Sequence, residues 1–221
     1  MIFPTISRRD VVAALPMLPL LATSAAALPA LPVPPGGRIG FRMLRNGEPI
    51  GSHVLTFQQS GEALVVSIAI DIQVKLIGMT LYRYSHRATE RWQGGQFASI
   101  ESQTDRDGTP RQMRAVREPD GVVVEGTNAK RYVAPPVALP TTYWNRAMLE
   151  PRLINSEDGR LLGVTVTEGA LDRVPTAAGP VPARHYRLEG ELQLEIWYDE
   201  AGQWAHLQFT KDGSTIIYEK M

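Results

Sequence analysis

Between Leu64 and Leu76 every second residue is apolar: Leu64, Val66, Ile68, Ile70, Ile72, Val74 and Leu76 share one phase, and Ser67, Asp71, Gln73 and Lys75 fall in the other. Side chains of a strand point alternately to opposite faces, whereas a helix repeats every ~3.6 residues, so no helix places this row on one side. The period predicts one long strand with a buried face. At ~3.3 Å per residue it would approach about 40 Å, longer than an ordinary strand. Length of that kind suits a sheet that bends strongly around a core.

From Arg38 onward the chain is punctuated by turn dipeptides, namely Asn46-Gly47, Ser60-Gly61, Gly94-Gly95, Asp107-Gly108, Asp120-Gly121, Asp158-Gly159 and Asp212-Gly213, with Glu200-Ala201-Gly202 beside them. Such turns between alternating segments mark antiparallel hairpins. The C-terminal half repeats the pattern: Tyr186, Leu188, Leu192, Leu194 and Ile196 form an apolar row, a return strand runs from Trp204 to Thr210, and a last one from Ser214 to Glu219. The expected fold is all-β: a strongly curled antiparallel sheet or partly closed β-barrel of roughly ten to twelve strands with one short helix, forming a single domain over residues 38–221. Ala134 to Pro140 carries too many prolines for a central strand. The following Thr141–Leu149 segment predicts the helix, capped by Thr141 or Thr142 and covering an open end of the sheet with Trp144 and Met148; a surface loop anchored by one tryptophan is the alternative.

The first 27 residues read differently. Arg8 and Arg9 sit in a short basic stretch, Val11–Ala27 is almost wholly apolar, and Ala25-Ala26-Ala27 supplies an A-x-A cleavage pattern with Ala25 and Ala27 at its small-residue positions. That is the layout of an export signal, and Ser7-Arg8-Arg9-Asp10 resembles the twin-arginine kind. The competing reading is an uncleaved anchor, but a spanning helix needs ~20 apolar residues, and Pro16 and Pro19 interrupt this run. Export predicts a periplasmic protein with no membrane span after cleavage. Residues 28–37, with four prolines, read as a semi-rigid tether.

Removing Arg8, Arg9 and Asp10 leaves 21 basic and 22 acidic residues, a balance that gives no electrostatic footprint for nucleic acid. The chain has no cysteine, which excludes disulfides, thiolate metal sites, covalent c-type haem and cysteine nucleophiles. It also lacks a nucleophile elbow, a phosphate loop and a dinucleotide fingerprint. No motif calls for a cofactor, and no local histidine spacing signals a metal, although His53, His86 and a carboxylate from another strand could be assembled by the fold.

The strand from Gly78 to Gln93 carries the residues of most chemical interest. Tyr82, Tyr84, His86, Glu90 and Trp92 share one phase, and Arg83, Arg87 and Arg91 share the other. The arginine face is expected to be solvated or paired with carboxylates of a neighbouring strand. The aromatic face then looks inward, joined by His53, which is in phase with Leu55 and Phe57, and by Trp144. Aromatic walls with a few polar tips suit a ligand cavity; a core in which those tips pair with one another is the alternative. His86 and Glu90 are about 13 Å apart along a strand, so acid–base catalysis would need a partner from another strand.

Glu195-Ile196-Trp197-Tyr198-Asp199-Glu200-Ala201-Gly202-Gln203-Trp204, continued by Phe209, Asp212-Gly213 and Tyr218, together with Glu90-Arg91-Trp92, Gly95, Asp107-Gly108 and Asn46-Gly47-Glu48-Pro49-Ile50-Gly51, resembles an exported bacterial family known only as a domain of unknown function. The resemblance covers nearly the whole chain after the signal and implies an all-β fold without assigned catalytic residues. More distantly, the layout is similar to periplasmic lipoprotein carriers of the LolA/LolB type, which implies a curled half-barrel sheltering acyl chains, although only one short helix is present here. The expected function is an exported, non-enzymatic envelope binding or carrier protein for an apolar or amphipathic ligand, an apolar small molecule or lipid, with Tyr82, Tyr84, His86, Glu90, Trp92, His53 and Trp144 as ligand-binding residues. One alternative is a structural or assembly module that binds another envelope protein by an edge strand or by the Pro135–Trp144 loop with Trp144 exposed. The other is a hydrolase or isomerase using a histidine base.

Overall fold

The computed structural model describes residues 30–76, 79–150 and 152–221. The expected export signal, with Arg8, Arg9, Ala25 and Ala27, lies outside them. Eight strands follow one another by hairpins: β1 (Arg38–Arg45), β2 (Glu48–Ser60), β3 (Ala63–Leu76), β4 (Met79–Gln93), β5 (Gln96–Arg106), β6 (Thr109–Glu118), β7 (Gly121–Gly126) and β8 (Ala129–Ala134). After an irregular connection the pattern resumes with β12 (Val164–Val174), β13 (Val181–Gly190), β14 (Leu194–Tyr198), β15 (Trp204–Lys211) and β16 (Ser214–Lys220). The turn chemistry read in the sequence is used as read. Asn46-Gly47, Asp107-Gly108 and Asp212-Gly213 all carry positive φ at both positions, the geometry that joins two twisted strands with a two-residue loop.

These thirteen strands form one antiparallel sheet in the order β12-β13-β14-β15-β16-β1-β2-β3-β4-β5-β6-β7-β8. The first strand therefore lies inside the sheet, paired with β2 on one side and with β16 on the other. The two edges, β12 and β8, are not paired with each other. The expected count of ten to twelve strands was too low, and the sheet is open rather than strongly curled or closed on itself. Three two-residue strands, β9 (Leu139–Pro140), β10 (Leu153–Ile154) and β11 (Leu161–Leu162), make a second small sheet within the connection.

That connection, residues 135–163, explains why the sheet can stay open: it lies on the apolar face and buries it. Trp144 donates its indole N–H to Glu90 on β4, and Ser102 on β5 bonds the Ser156 carbonyl. Tyr132 on β8 bonds the Gly159 carbonyl, and Tyr198 on β14 bonds the Tyr143 carbonyl at 2.7 Å. Strands from both halves of the sheet and the connection share one continuous core that includes Phe41, Phe57, Trp92, Trp144, Ile154, Tyr198 and Trp204. Gly126 lets the connection come this close, because a Cβ there would stand 2.3 Å from the Asp158 carbonyl oxygen.

The expected helix shrinks to a single 3-10 turn, Arg146–Leu149, capped by Asn145 rather than by Thr141 or Thr142. Tyr143 has φ of 67°, a conformation that no helix can contain and that is an outlier for a bulky residue. The sharp bend drops Trp144 into the core, where it has no exposed surface. This removes the exposed tryptophan that binding an envelope protein through the Pro135–Trp144 loop required. Residues 31–34 are also docked: Leu31 and Val33 pack against the main core and Pro34 is buried. Among the described residues no helix is long and apolar enough to cross a membrane.

Candidate functional site

Strand register builds the site. One cross-strand row runs Phe41–His53–Ile70–His86–Thr104–Arg111 through β1 to β6, and the next runs Met43–Gly51–Ile72–Tyr84–Arg106–Thr109. Adjacent strands are about 4.8 Å apart, so His53 and His86 stand two strands apart on one face. Gly51 is dictated by the second row: a Cβ there would meet the Asp71 carbonyl oxygen at 2.0 Å. As expected from phase, Arg83, Arg87 and Arg91 face outward and are exposed, with Arg87 bonding both carboxylate oxygens of Asp71.

The candidate residues fall into two groups. His53, Tyr84 and His86 belong to one, a polar cluster under the connection. His86 Nδ1 lies 2.8 Å from Thr104 Oγ1, and the Tyr84 hydroxyl donates to Glu157 at 3.0 Å. Glu157 also receives both bonds of Arg106 Nη2, each at 2.9 Å. The ring of His53 packs edge-on against Trp204 and Tyr218, and Tyr143 leans on Trp204 from the connection. His53 is buried, yet neither ring nitrogen has a hydrogen-bond partner. Burial lowers His53 to about 3, with His86 adding to the effect, and burial likewise lowers His86 to about 4 against the pull of Glu157. Both rings are therefore neutral near pH 7. Burial raises the hydroxyls of Tyr84, Tyr143 and Tyr218, and the charge of Glu157 reaches all three.

Glu90, Trp92 and Trp144 form the second group, further along β4. Glu90 is fully buried. Its Oε2 accepts from Trp144 Nε1 at 2.8 Å and its Oε1 has no partner. Burial pushes Glu90 up to about 7, opposed by the polar hydrogens of Trp144, Thr142 and Trp92. Trp92 and Trp144 pack edge to face, as do Trp144 and Phe57. This group is a packed core with one acid inside it. Tyr82 joins neither group: it is half-buried near the sheet's end, and burial raises its hydroxyl.

Sequence phase missed Thr104, Arg106, Tyr143, Glu157 and Tyr218. Thr104 and Arg106 come from register with β5, and Tyr218 comes from the pairing of β16 with β1. Glu157 and Tyr143 lie in the connection, where no periodicity shows which way a side chain faces. Among the described residues no group of three or more His, Cys, Asp or Glu side chains is placed to hold a metal ion. Two open troughs, about 850 and 1090 Å³, lie over β2 to β7; outward-facing Arg87, Glu101 and Gln103 line the first, and Asp71, Arg83 and Asp105 the second. Tyr84 lines the second trough, whereas His53, His86, Glu90 and Trp92 line neither.

A family model described as a domain of unknown function (DUF6134) matches residues 41–221. Among solved structures, the chain is similar to a beta-barrel-like protein of domain of unknown function DUF1849 from Brucella abortus, at 14% identity and a TM-score of 0.59, over 83% of this chain and 94% of that one. At that identity the likeness speaks for the fold alone. A search of the curated proteins found no match.

Proposed function

The chain belongs to this domain family of unknown function, and from its own side chains we propose that it is a non-enzymatic binding or carrier protein for a small amphipathic molecule. The polar end of the ligand would sit in the His53–Tyr84–His86–Tyr143–Tyr218 cluster, beneath the Asn155–Gly159 loop. One observation carries the reading: both nitrogens of buried His53 lack a protein partner. Leaving such a group unpaired costs about 1–3 kcal/mol, and nearly all buried polar groups are paired. The positive φ of Tyr143 agrees, because strain of that kind tends to gather at functional sites. Glu157 and Asp158 hold the loop down through Arg106, Arg111 and Asn128, so the loop is the natural cover. Phe41, Trp204 and Phe209 supply an apolar flank. We also propose, from Arg8-Arg9 and the apolar run after it, that the protein acts in the periplasm.

Native mass spectrometry of the full chain recovered from its own cells tests this. A bound adduct on the wild-type protein that is absent from a folded His53→Phe variant supports the reading. A clean mass for the wild type, or an adduct retained equally by the variant, sinks it.

A further inference from the structure

The unpartnered ring of His53 specifies more than polarity in what would lie against it. Burial holds the ring neutral near pH 7, and a neutral imidazole offers one N–H donor and one bare acceptor nitrogen. Both nitrogens are buried without a partner. A molecule that completes the ring therefore accepts at one nitrogen and donates at the other. The hydroxyls of Tyr143 and Tyr218 can serve in either sense, and Arg106 Nε adds a buried donor that also lacks a partner.

The charges around the cluster are already matched. Glu157 takes both bonds from Arg106 Nη2 and lies 3.8 Å from Arg111. Arg111 stands 3.5 Å from Asp158, and Arg160 stands 3.2 Å from the same carboxylate and 4.0 Å from Glu191. Arg87, next to His86 in the chain, faces outward and holds Asp71 at 2.8 Å. Glu157, Asp158, Glu191 and Asp71 thus balance Arg106, Arg111, Arg160 and Arg87.

That balance decides between head groups. A carboxylate or phosphate would be a second anion on Arg106 beside Glu157, and having no proton to give it would leave the acceptor nitrogen of His53 unpaired. An ammonium would leave the donor nitrogen unpaired and would bury a charge without a free counter-ion, which costs more than burying a neutral polar group. A hydroxyl or a primary amide both donates and accepts, and carries no charge. An apolar wall continues from the same ring. Trp204 lies 5.2 Å from His53 between ring centres, Phe41 4.0 Å and Tyr218 5.7 Å from Trp204, and half-buried Phe209 6.5 Å from Tyr218.

We infer, resting on the ligand site proposed above, that this site selects an uncharged amphiphile whose head both donates and accepts hydrogen bonds, an alcohol or a primary amide, over carboxylate, phosphate and ammonium heads, with His53 setting the choice.

Titration calorimetry of the full chain at pH 8 with 1-decanol, decanoate and decylammonium compares three heads on one tail. Decanol is expected to bind at least about tenfold tighter than either ion, the scale of one buried group left unpaired. In folded His53→Phe the margin narrows, because no ring nitrogen is then left unpaired by an ion. The wild-type series decides alone if that variant does not fold. Decanoate or decylammonium binding as tightly as decanol overturns this inference and leaves the ligand site standing. A margin unchanged in folded His53→Phe overturns it as well, since the choice is then made elsewhere. Binding of none of the three removes the ligand site and this inference with it.

Discussion

Glu90 should make this protein weaker as the solution turns alkaline. Its carboxyl is fully buried, with one bond from Trp144 and one unpartnered oxygen. Burial raises it from 4.5 to about 7 in the folded chain. Below pH 4.5 both folded and unfolded states hold the proton and the group contributes no difference. Between 4.5 and 7 the unfolded chain releases the proton while the folded chain keeps it, so folding stability falls as pH rises. Each pH unit of separation is worth about 1.4 kcal/mol, giving a loss of about 3 kcal/mol by pH 8. His53 and His86 work in the other direction. Their folded values lie below 6.5, so their contribution is complete above 6.5 and is lost as pH falls toward 4 and 3. Glu90→Gln keeps the shape and the acceptor for Trp144 and removes only the alkaline decline. Urea unfolding followed by tryptophan fluorescence should therefore show the variant equal to or weaker than wild type at pH 5 and stronger by up to about 3 kcal/mol at pH 8. A wild-type-minus-variant difference that is the same at both pH values would refute the reasoning.

Trp144→Ala should cost about 3–5 kcal/mol in the same assay, the range for emptying a buried tryptophan site, and more at pH 8, where ionised Glu90 has lost the indole hydrogen bond to its Oε2. A loss under about 1 kcal/mol would mean that the connection is not anchored there. Gly51→Ala should cost about 1–3 kcal/mol, because the new Cβ falls on the β3 backbone. Gly36→Ala, with open space around it, should leave the thermal midpoint unchanged, and equal midpoints for both variants would remove the steric argument.

Where the sequence was legible, a single strand's period was enough. Alternation along Leu64–Leu76 located β3, and alternation along β4 placed His86, Glu90 and Trp92 inward and three arginines outward, as the burial shows. The candidate site was only half legible, because it is a property of register. His53, His86 and Thr104 share a row only because three pairings keep step, and a bulge of one residue in β2 or β4 would have separated them. The connection was the least legible part. After the proline-rich stretch the sequence pointed to a short helix or a surface loop, and the structure has instead an irregular segment that carries Trp144 into the core and Glu157 onto Arg106. Its direction is set by Tyr143, whose positive φ no residue pattern announces. The proline-rich residues 31–34 misled in the same way: nothing in their composition shows that Leu31 and Val33 find apolar partners.

The place of β1 in the sheet has a consequence for how the chain assembles. Arg38–Arg45 must wait for Ser214–Lys220, some 170 residues later, before its second edge is occupied. Strands β1 to β8 are each joined to the next by a hairpin and can pair as they leave the ribosome, whereas the β1–β16 seam closes only after β12 to β15 are made. Such distant pairing is slow, since loop closure precedes any gain from contact. During synthesis the seam edge of β1 stands open, a template for strands of other chains. The vulnerable moment for this protein is thus late in translation, and its last strand works as a zip that joins two independently growing sheets.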